Sequence, residues 1–68
     1  MKLFAERLKE LRKEKGLSQS DLAKMLGITQ QSYARYELDT SEPCYAMLVC
    51  ISNIFEVSCD YLLGKEEY

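Results

Sequence analysis

The stretch SQSDLAKMLGITQQSYARYE, Ser18 to Glu37, decides the fold, and it reads as two short helices joined by a tight turn. Ser18 suits a helix N-cap, and Asp21 three positions on completes an S-x-x-D capping box. Leu22, Ala23 and Leu26 then lay an apolar stripe along one face. Gly27 follows directly, where a helix end favours a residue free to turn left-handed. Ile28 reads as an apolar plug and Thr29 as a second N-cap. The helix from Gln30 to Glu37 sets Tyr33 and Tyr36 on one side, with Gln30, Gln31, Ser32 and Arg35 largely on the other. Cap, apolar helix, glycine turn, cap and polar helix in that order make a helix-turn-helix.

The outward face of that second helix carries the chemistry. A polar face is most often only a solvated surface, and Gln-Gln-Ser alone favours that reading. The turn geometry around it reverses the balance. Gln makes bidentate bonds to adenine and Arg to guanine, in a major groove about 12 Å wide that admits an α-helix. Gln30, Gln31 and Arg35 are therefore the candidate base contacts, with Ser32 placed for phosphate or base.

The stretch resembles the helix-turn-helix of the Cro/C1-type (XRE) family, to which the lambdoid phage repressors belong. TQQS at Thr29 to Ser32 is similar to the start of the recognition helix in some phage repressors. The likeness runs over nearly the whole chain, through LRKEKGLSQSDLA, LGITQQSYARYE, the spacing from Glu37 to Pro43, a fourth helix and VSCDYLL. It implies an all-α fold, a compact bundle of about five short helices with helices 2 and 3 forming the helix-turn-helix. It also implies a sequence-specific regulator of transcription, a repressor first of all, that reads double-stranded DNA with helix 3. Gln19 would contact a phosphate, Arg12 and Glu37 would form a structural ion pair, and Val57, Tyr61 and Leu62 would join a homodimer contact. Two protomers would then read half-sites about 34 Å apart on a palindromic operator.

Length and composition set the bounds. Sixty-eight residues suit one small domain, read here as residues 1–64 followed by a short tail, 65–68. No apolar run approaches the ~20 residues of a membrane span. The charged start MKLFAERLKELRKEKG is not a secretion signal, so a cytoplasmic protein is expected, and these 68 residues are not expected to hold a second, effector-binding domain. Cys44, Cys50 and Cys59 form no C-x-x-C pair and the chain has no His, which argues against a metal site. The cysteines read as small hydrophobes, with a redox-sensing Cys59 at a helix start as the alternative. No carboxylate pair or activated nucleophile stands out, so neither an enzyme nor a cofactor is expected.

A net charge of −2 is a warning for a DNA-binding reading, because phosphates attract positive charge. Its distribution softens the warning. Residues 1–35 hold eight basic side chains against four acidic, a balance of +4; residues 36–68 hold one against seven, a balance of −6.

Outward from the motif, Lys2 to Lys15 reads as a first helix with Phe4, Ala5, Leu8 and Leu11 on its apolar face. After Glu37 the chain departs from the resembled pattern: Asp39 stands where that family usually has Gly, and no Lys or Arg lies between Arg35 and Lys65. Asp tolerates the left-handed region better than most residues, so the turn is expected to survive. Thr40 and Ser41 are left as neutral phosphate donors. Pro43 is expected to open a fourth helix in which Leu48, Ile51, Ser52 and Phe55 face the core. Val49, Cys50 and Ile54 make that helix apolar on further sides, a surplus that reads as a self-association face. The surplus and the acidic second half also suit an alternative, an antitoxin-like module that uses the fold to hold a protein partner.

Overall fold

The computed structural model describes residues 2–65. They form α1 (Lys2–Glu14), α2 (Gln19–Leu26), α3 (Gln30–Glu37), α4 (Tyr45–Phe55) and α5 (Cys59–Leu62), with no strand among them. The expected tail lies outside the described residues beyond Lys65.

Local chemistry starts and stops each element. At α2 the Ser18 hydroxyl accepts from the Asp21 N–H and the Asp21 carboxylate accepts from the Ser18 N–H, both at 3.0 Å. Receiving that backbone N–H holds the Asp21 carboxyl below its ordinary range. Thr29 and Ser58 cap α3 and α5 by accepting from Ser32 and Tyr61.

All five helices end in the same way. After α2, Gly27 turns left-handed (φ 73°), its N–H donates to the Lys24 carbonyl, and the Ile28 N–H donates to Ala23. The same pair of bonds closes the other four helices, around Gly16, Asp39, Glu56 and Gly64. Asp39 (φ 61°) thus holds the left-handed turn that its position requires. Glu56 (φ 55°) does the same, which the sequence does not announce, since no Gly or Asn marks the end of α4. Gly64 is fixed for a second reason: a Cβ there would lie 2.6 Å from a Leu3 side-chain carbon.

The helices close over one core, built from Phe4, Leu8 and Leu11 of α1, Leu22 and Ala23 of α2, Tyr33 of α3, Leu48, Ile51 and Phe55 of α4, and Leu62 of α5. The expected core positions of α1 and α4 are the buried ones, Ser52 included. Ser52 is satisfied by donating to the Val49 carbonyl at 2.7 Å. Leu17, Ile28, Met47, Ile54 and Val57 pack around the rim.

Three expectations are corrected. Leu62 is fully buried, so it is a core residue and no part of an interface; in a helix of four residues the single inward position falls on it. Pro43 does not open α4. It lies in the extended segment before the Cys44 N-cap, where its missing N–H is equally harmless. The first helix ends at Glu14, and Lys15 already belongs to the turn.

Leu62→Ala should cost about 2–4 kcal/mol, a large share of the stability of so small a domain, whereas Cys50→Ser on the exposed side of α4 should stay within about 0.5 kcal/mol. Replacing the strained left-handed residue, Glu56→Gly, should instead raise stability by up to about 1 kcal/mol. Chemical denaturation of the three variants measures all of this.

Candidate nucleic-acid interface

Glu37 is the last residue of α3, and its side chain is only 4% exposed. A carboxylate so buried needs every lone pair satisfied. Arg12 of α1 supplies two of the bonds in a fork, Nε to Oε2 at 2.7 Å and Nη2 to Oε1 at 3.1 Å. Gln19, the first residue of α2, donates its Nε2 to Oε1 at 3.1 Å. The Tyr33 hydroxyl, one turn back along α3, donates to Oε2. Arg12 has a further donor, Nη1, which reaches the Leu17 carbonyl at 2.9 Å and fixes the turn between α1 and α2. Among the described residues no buried side-chain polar atom lacks a partner.

Charge and burial compete at this cluster. Burial pushes the Glu37 carboxyl upward, but the hydrogen bonds from Arg12, Tyr33 and Gln19 outweigh it and hold the group below its ordinary value. The Arg12 guanidinium is held above its own, chiefly by the bond to Glu37. Burial, then the bond to Glu37, raises the Tyr33 phenol. Tyr33 also packs edge-on against Tyr36, with ring centroids 6.2 Å apart.

With its inner face locked in this way, α3 turns its other face to solvent. Gln30, Gln31 and Arg35 are exposed and Ser32 is half-buried. Gln31 and Arg35 stand one turn apart on the same face. Thr29 donates its hydroxyl to the Ser32 hydroxyl at 3.0 Å, which ties Ser32 to the cap. Gln19 lies beside this surface with one amide N–H committed to Glu37 and a second N–H remaining on the same nitrogen. The hydroxyl of the exposed Thr40 is engaged, donating to the Arg35 carbonyl at 3.3 Å, while Ser41 is half-buried.

The other assigned surface lies on α4 and α5. Cys50 is exposed, and Val49, Ile54, Val57 and Tyr61 are half-buried. Tyr61 has a partner that sequence reasoning missed: the Arg7 guanidinium carbon sits 4.1 Å from its ring centroid, and Arg7 also donates to the Tyr61 carbonyl. That pairing joins α1 to α5 and has no signature in spacing, because 54 residues separate the partners. Missed as well were Leu38 and Tyr45, at 70% and 80% exposure.

Comparison with known proteins places this geometry. A family model described as "Helix-turn-helix" matches residues 8–62. The chain belongs to this helix-turn-helix family. It is 52% identical over 64 residues to YqaE, an uncharacterized HTH-type transcriptional regulator of Bacillus subtilis, covering 94% of this chain and 55% of that protein. It is 42% identical to the HTH-type transcriptional regulator ImmR of the same organism, covering 94% of this chain and 50% of that one. The chain thus spans about half the length of these relatives. Its fold is similar to the P22 c2 repressor crystallised with a synthetic operator, at a TM-score of 0.87 and 30% identity, covering 97% of this chain and 100% of that one. The family and these relatives are regulators of transcription rather than enzymes.

Glu37→Gln removes the charge that Arg12 faces and should destabilise the domain by about 3–5 kcal/mol. Because the folded-state carboxyl is held down, its contribution is complete above the ordinary value of 4.5 and fades as pH falls through the lower folded value. Acid titrations of unfolding should therefore show a shallower loss below pH 4.5 in Glu37→Gln than in the wild type, with the remainder, including the Asp21 share, unchanged.

Proposed function

We propose that residues 1–64 are the DNA-reading unit of a sequence-specific transcriptional regulator that acts in the cytoplasm and represses by occupying its operator. The observation that carries this reading is the division of α3: its inner face is fixed by the Glu37 cluster while Gln30, Gln31 and Arg35 stand exposed. A short helix held at a set angle, with amide and guanidinium groups facing outward, suits the base edges of the major groove. The P22 c2 repressor, so similar in fold, is seen with an operator, which supports the same use here.

Gln19 turns its remaining amide N–H to a phosphate at the start of α2, adding to the N–H groups of the helix end. Its bond to Glu37 sets the distance between phosphate grip and reading helix. Ser32 and Ser41 are the neutral donors at the edge of the groove; Thr40 contributes its backbone turn more than its hydroxyl. Val49, Cys50, Ile54 and Val57, with the half-buried Tyr61, form the homodimer contact that sets two reading helices on a palindrome. The acidic loop weakens the grip of each protomer, so pairing of two protomers raises affinity where single contacts are few.

Selection from a random duplex pool tests the reading. A palindrome should be enriched, with binding that falls steeply between about 50 and 200 mM salt. Gln30→Ala and Gln31→Ala should each reduce the preference for the enriched site by about 1–3 kcal/mol, while Gln19→Ala should weaken specific and random duplexes alike. Glu42→Lys, which reverses a charge in the loop, should tighten binding to every duplex and steepen the salt slope by about one unit. Weak binding without sequence preference would contradict the proposal and favour a protein partner for the half-buried apolar face of α4.

A further inference from the structure

Resting on the DNA-reading assignment of α3, we infer that Leu38 is a specificity-determining residue that recognises the C5-methyl group of a thymine. Leu38 follows Glu37 and keeps a right-handed helical backbone (φ −87°, ψ −2°), so it extends the surface of α3 by one position. It stands seven residues after Gln31, four after Ala34 and three after Arg35, the spacings that share one face of a helix. It is 70% exposed, and it is the one exposed large apolar side chain that continues α3; the others, Leu3, Met25, Tyr45 and Leu63, lie on or beside different helices.

The backbone holds it there. The Leu38 N–H donates to the Ala34 carbonyl at 3.0 Å, the Asp39 N–H to Tyr36 at 3.3 Å and the Thr40 N–H to Arg35 at 3.0 Å. The Thr40 hydroxyl adds a bond to the same Arg35 carbonyl. The backbone of Leu38 is therefore gripped on both sides by a closed turn, so that meeting a ligand orders its side-chain rotamers but not its main chain.

Chemistry selects that ligand. In the major groove the other three bases present mainly hydrogen-bonding groups, which a leucine cannot satisfy and would desolvate. Thymine alone adds a methyl group, and apolar side chains recognise it by contact. Gln31 and Leu38 are about 10 Å apart along the helix axis, on the order of three base steps. The thymine should thus lie a few base pairs from the position that Gln31 reads.

The test uses single-atom-group changes in the DNA. In the duplex enriched by selection, each thymine is replaced in turn by deoxyuridine, which removes the methyl and keeps every hydrogen-bonding group. At one position in each half-site the wild type should bind about fourfold more weakly, the effect of losing one buried methyl. Leu38→Ala, at an exposed site where folding is unaffected, should bind the thymine duplex several-fold more weakly and show no thymine–uracil difference at that position. Leu38→Met, which keeps an apolar reach, should retain most of the difference. If Leu38→Ala preserves the wild-type thymine–uracil pattern at every position, the inference is overturned while DNA reading by Gln30, Gln31 and Arg35 stands. If no sequence is enriched at all, both fall.

Discussion

One carboxylate organises the molecule. Glu37 gathers Arg12 from α1, Gln19 from α2 and Tyr33 from its own helix onto two oxygens. Burying a charge pair seldom stabilises a fold more than well-packed apolar residues would, so stability alone is a weak reason for its presence. Geometry is a better one. A planar guanidinium bound through two nitrogens to one carboxylate fixes distance and angle together, which an aliphatic contact does not. The pair therefore sets how α3 lies against α1, and the Gln19 bond sets how α2 begins relative to both. A helix of eight residues has little surface of its own to resist rotation, and Tyr33 is the one fully buried side chain of α3. The cluster supplies the orientation that the core cannot.

The distribution of charge then assigns roles to the two halves. The helix-turn-helix and α1 carry the positive balance, and from Glu37 onward the chain is acidic up to Lys65. In such a molecule the electrostatic attraction to phosphate is modest, and discrimination falls more heavily on contacts to base edges. The exposed face of α3, polar at Gln30, Gln31 and Arg35 and apolar at Leu38, is suited to that work. In the proposed homodimer the half-buried apolar residues of α4 would compensate in another way, by letting two weak grips act as one.

Much of this was legible in the residues. The capping box, the caps and the glycine turn are short-range chemistry, and Ser18–Asp21, Gly27 and Thr29 lie where spacing put them. The buried faces of α1 and α4 followed from period alone, because a helix in a small core has one inward stripe. Other features depend on contacts between distant segments and leave no local mark. Arg7 over Tyr61 is one; the complete burial of Leu62, which spacing in a four-residue helix cannot predict, is another. Left-handed Glu56 belongs to the same class, since the helix closure there overrides an unfavourable residue. The engagement of Gln19 with Glu37 was also beyond the sequence, although both residues were singled out, because each was read against a different partner.

The central claim is that α3 is held from within by Glu37 and reads DNA with its opposite face. Side-chain N–H resonances of the isotope-labelled protein, followed by NMR as the selected duplex is added, address both halves of it together. The Arg12 Nε–H signal should stay nearly fixed, while the Gln30 and Gln31 amide and Arg35 Nε–H signals shift strongly. Large movement of Arg12 with silent Gln30, Gln31 and Arg35 would contradict the account, showing that the cluster opens on binding and that the outward face of α3 is not what meets the duplex.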